Sequence, residues 1–191
     1  MGNRLSTIVT RTGDKGSTGL ADGSRRDKDD ARIHCLGEVD ELNAMIGVVL
    51  SLLKNEPVQA ILFSVQHDLF DIGAELCQPG KQLIDTTYVE AIETFAGELN
   101  GPLPALREFI LPGGSQMVAL LQLARTICRR VERSLHGMGK RETLNPFTAQ
   151  YINRLSDLLF IIARHVACAE DGQEVYWQSR HSRLSQDSES S

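Results

Sequence analysis

Apolar side chains recur at steps of three and four along most of the chain beyond Asp30, the spacing that gathers them on one side of a helix. Ile33, Leu36, Leu42, Ile46, Val49, Leu50 and Leu53, with Val39 or Asp40 between, predict a first helix over residues 30–53. Asn55-Glu56-Pro57 breaks the pattern, and Val58, Ile61, Leu62, Val65, Leu69, Ile72 and Leu76 restore it until Pro79-Gly80. A shorter amphipathic stretch over residues 89–99 ends at Asn100-Gly101-Pro102, a turn cluster. Ser115 suits an N-cap, and Met117, Leu120, Leu121, Ala124, Ile127, Cys128, Val131 and Leu135 carry a fourth helix to about His136, ahead of Gly137-Met138-Gly139. Asn145-Pro146 opens a fifth, with Asn as cap and Pro where its missing N–H costs nothing. Ile152, Leu155, Leu158, Leu159, Ile162, Ala163 and Val166 form its apolar side. Five such stripes with little β-type alternation predict an all-α domain, a five-helix bundle packed antiparallel.

The first thirty residues are of another kind. Thr10 to Leu20 has no apolar period and is dense in glycine and hydroxyls, so residues 1–29 read as an N-terminal arm preceding a bundle over 30–177. Residues 178–191 are polar and Ser-rich, and are expected to be a mobile tail. No internal repeat is visible.

Composition narrows the range of functions. The chain has 191 residues, and 20 Lys+Arg against 25 Asp+Glu leave a net charge of −5, which argues against a generally basic, nucleic-acid-binding surface. Cys35, Cys77, Cys128 and Cys168 form no CxxC pair and read as reduced, buried thiols. No apolar run reaches the roughly 20 residues needed to span a bilayer, and the start lacks the layout of a secretory signal, so a cytoplasmic protein without membrane attachment is expected. Met1-Gly2-Asn3-Arg4-Leu5-Ser6 fits the letters of a myristoylation signal, yet no strong polybasic cluster supports it, and one acyl chain anchors only marginally.

Two segments carry candidate chemistry. At about 100° per residue, Arg129, Glu132 and Arg133 fall within about 80° of Arg125 on the fourth helix, and Arg130 lies about 140° away. Such a row serves as a solvated face or as a polyphosphate grip, since each guanidinium makes paired charge-assisted bonds to oxygen. In the arm, Gly13, Gly16 and Gly19 would let backbone N–H groups approach a phosphate, with hydroxyls from Thr10, Thr12, Ser17 and Thr18 and charge from Lys15 and Lys28. The arm is neither a Walker A loop nor a Rossmann fingerprint. Asp40 occupies or borders the apolar stripe, so it is an exposed acid at the edge or one with a partner, an arginine of the fourth helix being the candidate. Asn153, Arg154 and Asp157 similarly either cap neighbours or touch a ligand. No Glu-x-x-His di-iron pattern occurs among His34, His67, His136, His165 and His181, which disfavours a transition-metal enzyme.

Six segments, residues 10–16, 28–30, 37–43, 109–114, 124–133 and 153–160, resemble in sequence and order the PduO-type ATP:cob(I)alamin adenosyltransferases. They are Thr-Arg-Thr-Gly-Asp-Lys-Gly, Lys-Asp-Asp, Gly-Glu-Val-Asp-Glu-Leu-Asn, Phe-Ile-Leu-Pro-Gly-Gly, Ala-Arg-Thr-Ile-Cys-Arg-Arg-Val-Glu-Arg and Asn-Arg-Leu-Ser-Asp-Leu-Leu-Phe. The resemblance implies a five-helix bundle working as a homotrimer with active sites between subunits. ATP would be bound by Thr10, Arg11, Thr12, Gly13, Thr18, Gly19 and Lys28 of one subunit and by Arg125, Arg129, Arg130, Glu132, Arg133 and Asn153 of the next. Members vary at Ser17-Thr18-Gly19, which makes Thr18 and Gly19 the least secured of these contacts. Asp40 would pair with Arg125 across the interface, and Phe109 would fill the lower face of the corrinoid and keep its base off the cobalt. Asp40, Phe109, Arg125 and Arg129 would thus serve catalysis. The implied reaction uses ATP, Mg²⁺ and reduced cobalamin and releases triphosphate, with the product available to a cobalamin-dependent enzyme. The alternative is a non-catalytic ATP- or corrinoid-binding escort or sensor on the same bundle.

Overall fold

The computed structural model describes residues 8–169 and 174–179; the myristoylation letters and all but the start of the expected tail lie outside them. Two short strands, β1 (Ser17–Gly19) and β2 (Arg25–Asp27), precede five helices, α1 (Ala31–Leu52), α2 (Glu56–Leu76), α3 (Thr86–Asn100), α4 (Gln116–Met138) and α5 (Pro146–Ala169). The expected five-helix, predominantly α architecture is what the chain adopts.

The helix starts are set by side chains that satisfy N–H groups the helix itself leaves free. Asp30 accepts from Arg32 N, Asn55 from Val58 N, Asp85 from Thr87 N and Ser115 from Val118 N. Asn145 Oδ1 accepts from Phe147 N at 3.0 Å, and Pro146 follows it in the first turn as expected. α3 begins three residues earlier than its apolar pattern, because Asp85 caps a polar first turn, Thr86-Thr87, that hydropathy cannot register. α4 runs through Gly137 to Met138, which is itself buried.

α1 packs on α2 and α4, α4 on α5, and α5 on α3. Leu42, Ile46, Leu62, Leu69, Leu121, Leu135 and Ile152 are among the fully enclosed side chains of the single core. α2 meets α5 and α3 through polar contacts as well. The Tyr151 hydroxyl donates to Asp68 Oδ2 at 2.7 Å, and that of Tyr88 to Asp71 Oδ2 at 3.0 Å. The buried Glu75 carboxylate accepts from Leu83 N, Ile84 N, Asn145 Nδ2 and Thr148 Oγ1, tying the α2–α3 loop to the start of α5.

Two expectations are corrected. The arm is a β-ribbon over part of its length: β1 and β2 pair antiparallel, with Ser17 opposite Asp27, and Gly23 takes φ +87 in the intervening turn. The four cysteines are free but not uniformly buried, since Cys77 is half-buried and Cys168 exposed near the end of α5. Burial pushes the Cys35 thiol up to about 11, with the Glu38 charge adding to the shift.

Candidate active site

α4 is the wall on which the site is built. Its apolar side is buried against α1 and α5, so the residues between present polar heads on a rigid element. Arg125 is half-buried; its Nε donates to Gln122 Oε1 at 2.7 Å and its guanidinium stands 5.9 Å from the centroid of the Phe160 ring on α5. Burial pulls the Arg125 pKa down, and the neighbouring Arg129 charge adds to this. Arg129 is exposed one turn on, and its carbonyl accepts from Arg133 Nη1 at 3.0 Å. Glu132 accepts from Asn153 Nδ2 at 2.8 Å, and Asn153 Oδ1 in turn accepts from Arg154 Nη1 at 2.5 Å. Arg130 leaves on the other side of α4, as its angular offset requires, and pairs with Glu41 and Glu38 of α1.

Arg125, Arg129, Gln122, Asp157 and Phe160 line a cavity of about 570 Å³ whose remaining wall is the loop over residues 106–110. Phe109 belongs to that loop and is 79% exposed. The structure thus brings three of the four expected catalytic residues, Phe109, Arg125 and Arg129, around one hollow. The fourth does not join them within a chain. Asp40 is exposed on α1, where it lines a separate, largely apolar cavity of about 350 Å³ with Asn43, Leu69 and Phe70. Of the two alternatives for Asp40, the structure shows the one at the edge of the stripe: Val39 and Leu42 hold the core positions.

The arm gathers the other set. Thr10 and Thr12 share a hydrogen bond between hydroxyls at 2.9 Å, and Lys28 lies so close to Gly13 that a Cβ there would sit 3.3 Å from its Nζ. Arg11 takes φ 58, a left-handed backbone uncommon outside glycine. Thr18 and Gly19 lie in β1, opposite Arg26 and Arg25. Among the described residues, no hydrogen bond or ion pair joins this arm to the Arg125–Arg133 row of the same chain.

Sequence reasoning missed the residues that hold these parts. Arg25 donates through Nη2 to Thr12 O at 2.9 Å and to Ser17 O at 3.0 Å, folding the arm tip onto β1. Arg26 bridges Asp30 and Glu142, and the buried Arg32 grips the same Glu142 at 2.6 Å, so the base of the arm is fixed to the exit of α4. Phe160 stood at the end of the last quoted segment, but only its contact with Arg125 shows its place in the site.

A helix bundle with an arginine-walled cavity and a hydroxyl-rich arm defines a class, and known proteins of that class resemble this chain. The family model for cobalamin adenosyltransferase matches residues 8–166. A cobalamin adenosyltransferase of Cupriavidus metallidurans is 51% identical, the match covering 93% of this chain and 97% of the relative. A corrinoid adenosyltransferase of Mycobacterium leprae is 41% identical over 93% and 98% of the two chains. Among solved structures, a variant PduO-type ATP:corrinoid adenosyltransferase from Lactobacillus reuteri complexed with cobalamin and ATP superposes with a TM-score of 0.85 at 33% identity, covering 91% of this chain and all of that one. This chain belongs to the cobalamin adenosyltransferase family.

Proposed function

We propose that the protein transfers the 5′-deoxyadenosyl group of ATP to the cobalt of cob(I)alamin, forming adenosylcobalamin and releasing triphosphate, as a cytoplasmic homotrimer with its sites between subunits. The observation that carries this reading is the single hollow with Arg125 and Arg129 on its wall and Phe109 on its rim. In the reaction the electron pair of Co(I) forms the cobalt–carbon bond at C5′ while the C5′–O pair leaves with triphosphate. The substrate brings its own nucleophile, so the protein's work is orientation and charge.

Arg125, Arg129, Arg130, Arg133, Glu132 and Asn153 of one subunit and Thr10, Arg11, Thr12, Gly13, Thr18, Gly19 and Lys28 of the next would hold ATP. The guanidinium forks meet charge growing on the triphosphate, and Phe109 covers the corrinoid's lower face against water and the lower ligand. Asp40 would reach Arg125 of a neighbouring copy. In support, Asp40 is exposed beside the apolar cavity, and Asn43 Oδ1 in the same cavity is buried with no donor among the described residues. Phe63 and Phe70 are exposed on the same side of α2, an apolar surface suited to burial in an assembly.

Mg²⁺ would be carried on triphosphate oxygens, with the hydroxyls of Thr10 and Thr12, which share a hydrogen bond at 2.9 Å, as oxygen donors beside it. Bound there, it would neutralise part of the leaving-group charge.

The test is anaerobic incubation with ATP and chemically reduced cobalamin. Formation of adenosylcobalamin and triphosphate in equal amounts is expected; a bound complex without product would make the protein an escort. Light scattering should give a mass three times the 21.1 kDa of one chain, and a monomer at assay concentration would remove the shared site.

A further inference from the structure

Phe109 has little packing of its own. The residue is 79% exposed, so the position of its ring is decided by the backbone that carries it. That backbone is held by a second segment, residues 174–179, which runs antiparallel beside the Phe109 loop and bridges Ile110 to Tyr176. Trp177 N donates to Phe109 O at 2.7 Å and Leu111 N to Val175 O at 2.8 Å. A two-bond ladder between exposed segments is marginal by itself.

One side chain holds both segments. Arg164 of α5 and Glu174, whose side chains are 5% and 8% exposed, form an ion pair with Nε to Oε1 at 2.6 Å and Nη2 to Oε2 at 3.4 Å. The same Nη2 donates to Pro104 O at 2.7 Å, in the loop that leads to Phe109, and the Tyr176 hydroxyl donates to Glu174 Oε2 at 3.3 Å. A buried ion pair is weak evidence of added stability, since apolar residues would fill the space as well; what it adds is a fixed geometry. Here the geometry spans the Phe109 loop, gripping it directly at Pro104 and through the strap at residues 109–111.

We propose that Arg164 and Glu174 form a latch that positions Phe109, making both of them positioning residues for the adenosyl transfer. This deepens the functional reading above and rests on Phe109 meeting the corrinoid. The latch is specific to that substrate, because neither of its residues lies in the arm or in the arginine row.

Glu174→Ala should lower kcat/KM for reduced cobalamin on the order of ten- to a hundredfold, the scale of a loosened positioning group, and leave KM for ATP within about twofold. Bound cob(II)alamin should shift toward its base-on spectrum in the same variant. Because the latch acts through Phe109, Glu174→Ala placed on Phe109→Ala should add almost nothing, whereas a general structural role would multiply the two losses. Independently of turnover, amide exchange at Leu111 and Trp177 should quicken in Glu174→Ala while that of α4 stays slow. Glu174→Gln, which keeps an acceptor oxygen, gives the same comparisons if alanine proves insoluble. Unchanged exchange at those amides, multiplicative losses, or equal impairment toward ATP and cobalamin would overturn the latch. Quickened exchange in Glu174→Ala, together with a wild type that forms no adenosylcobalamin, would instead sink the functional reading and leave the hold of Arg164 and Glu174 on the Phe109 loop standing.

Discussion

Replacing Arg129 by alanine separates the fold from the chemistry. The side chain is exposed on α4, and among the described residues no carboxylate pairs with it. The hydrogen bond that Arg133 makes to this residue uses its backbone carbonyl, which alanine keeps. Folding stability should therefore change by no more than about 0.5 kcal/mol, and loss of repulsion toward Arg125 works in the favourable direction. The effect on turnover is of a different size. A charge-assisted bond to a phosphate oxygen contributes about 1.5–3 kcal/mol, and removing one donor aimed at developing charge costs about 2.7–4 kcal/mol. At about 1.4 kcal/mol per decade, the variant should lose on the order of 10²- to 10³-fold in kcat/KM. Arg129→Lys, with a point charge instead of a fork, should fall between the two. The assay follows the cob(I)alamin spectrum anaerobically with ATP, beside a thermal melt of the same preparation. Turnover within about threefold of the wild type would refute the phosphate role, and a large drop in melting temperature would refute the claim that Arg129 is dispensable for folding.

Glu75→Ala leaves two backbone N–H groups and the Thr148 hydroxyl without their acceptor, the Asn145 amide keeping Ile84 O, and should cost about 3–5 kcal/mol, read as a lower urea midpoint; Glu75→Gln should cost less. Arg25→Ala unties the arm tip from β1 and should raise KM for ATP about tenfold while leaving the helical circular dichroism unchanged. Asp68 supplies a pH test: burial raises its folded pKa, only partly opposed by the Tyr151 hydrogen bond, so its ionisation costs the folded state stability at neutral pH. Asp68→Asn should therefore melt higher than wild type above that raised pKa, and its advantage should vanish as pH falls below the ordinary aspartate value, where the carboxyl is neutral in both states. A melting difference independent of pH would contradict this.

The helices were legible because a stripe of Leu, Ile and Val at steps of three and four has few other uses, and because Asn145-Pro146 and Ser115 mark starts by mechanism. What escaped was held by single long-range contacts. β1 and β2 are three residues each with no alternation, and the Arg25 side chain that folds the arm tip onto β1 looks like any surface arginine. Glu174 and Arg164 carry no pattern that announces a buried pair, and the Ile110–Tyr176 bridge joins segments 66 residues apart. Asp40 stayed open between core and edge because the three-four rule admits either of two adjacent positions, and Val39 is the one the core accepts. The arginine row was readable from angle alone, down to Arg130 facing elsewhere; that it bounds a cavity shared with Phe109 was not.

The paired tyrosine contacts on α2 have a consequence for how that helix is oriented about its own axis. Phe63 and Phe70 lie about 100° round from Leu62 and Leu69, so a roll of that size would bury them only by drawing in Gln59 and Gln66 and exposing Val58, Val65 and Ile72. Hydrophobic burial therefore sets the face of the helix, and polar contacts fix its angle more finely. Asp68 and Asp71, reaching Tyr151 and Tyr88 on two different helices, are satisfied together at only one such angle. Rotational register is thus set by the aliphatic row and pinned by two phenols, and the phenylalanines are turned outward with it.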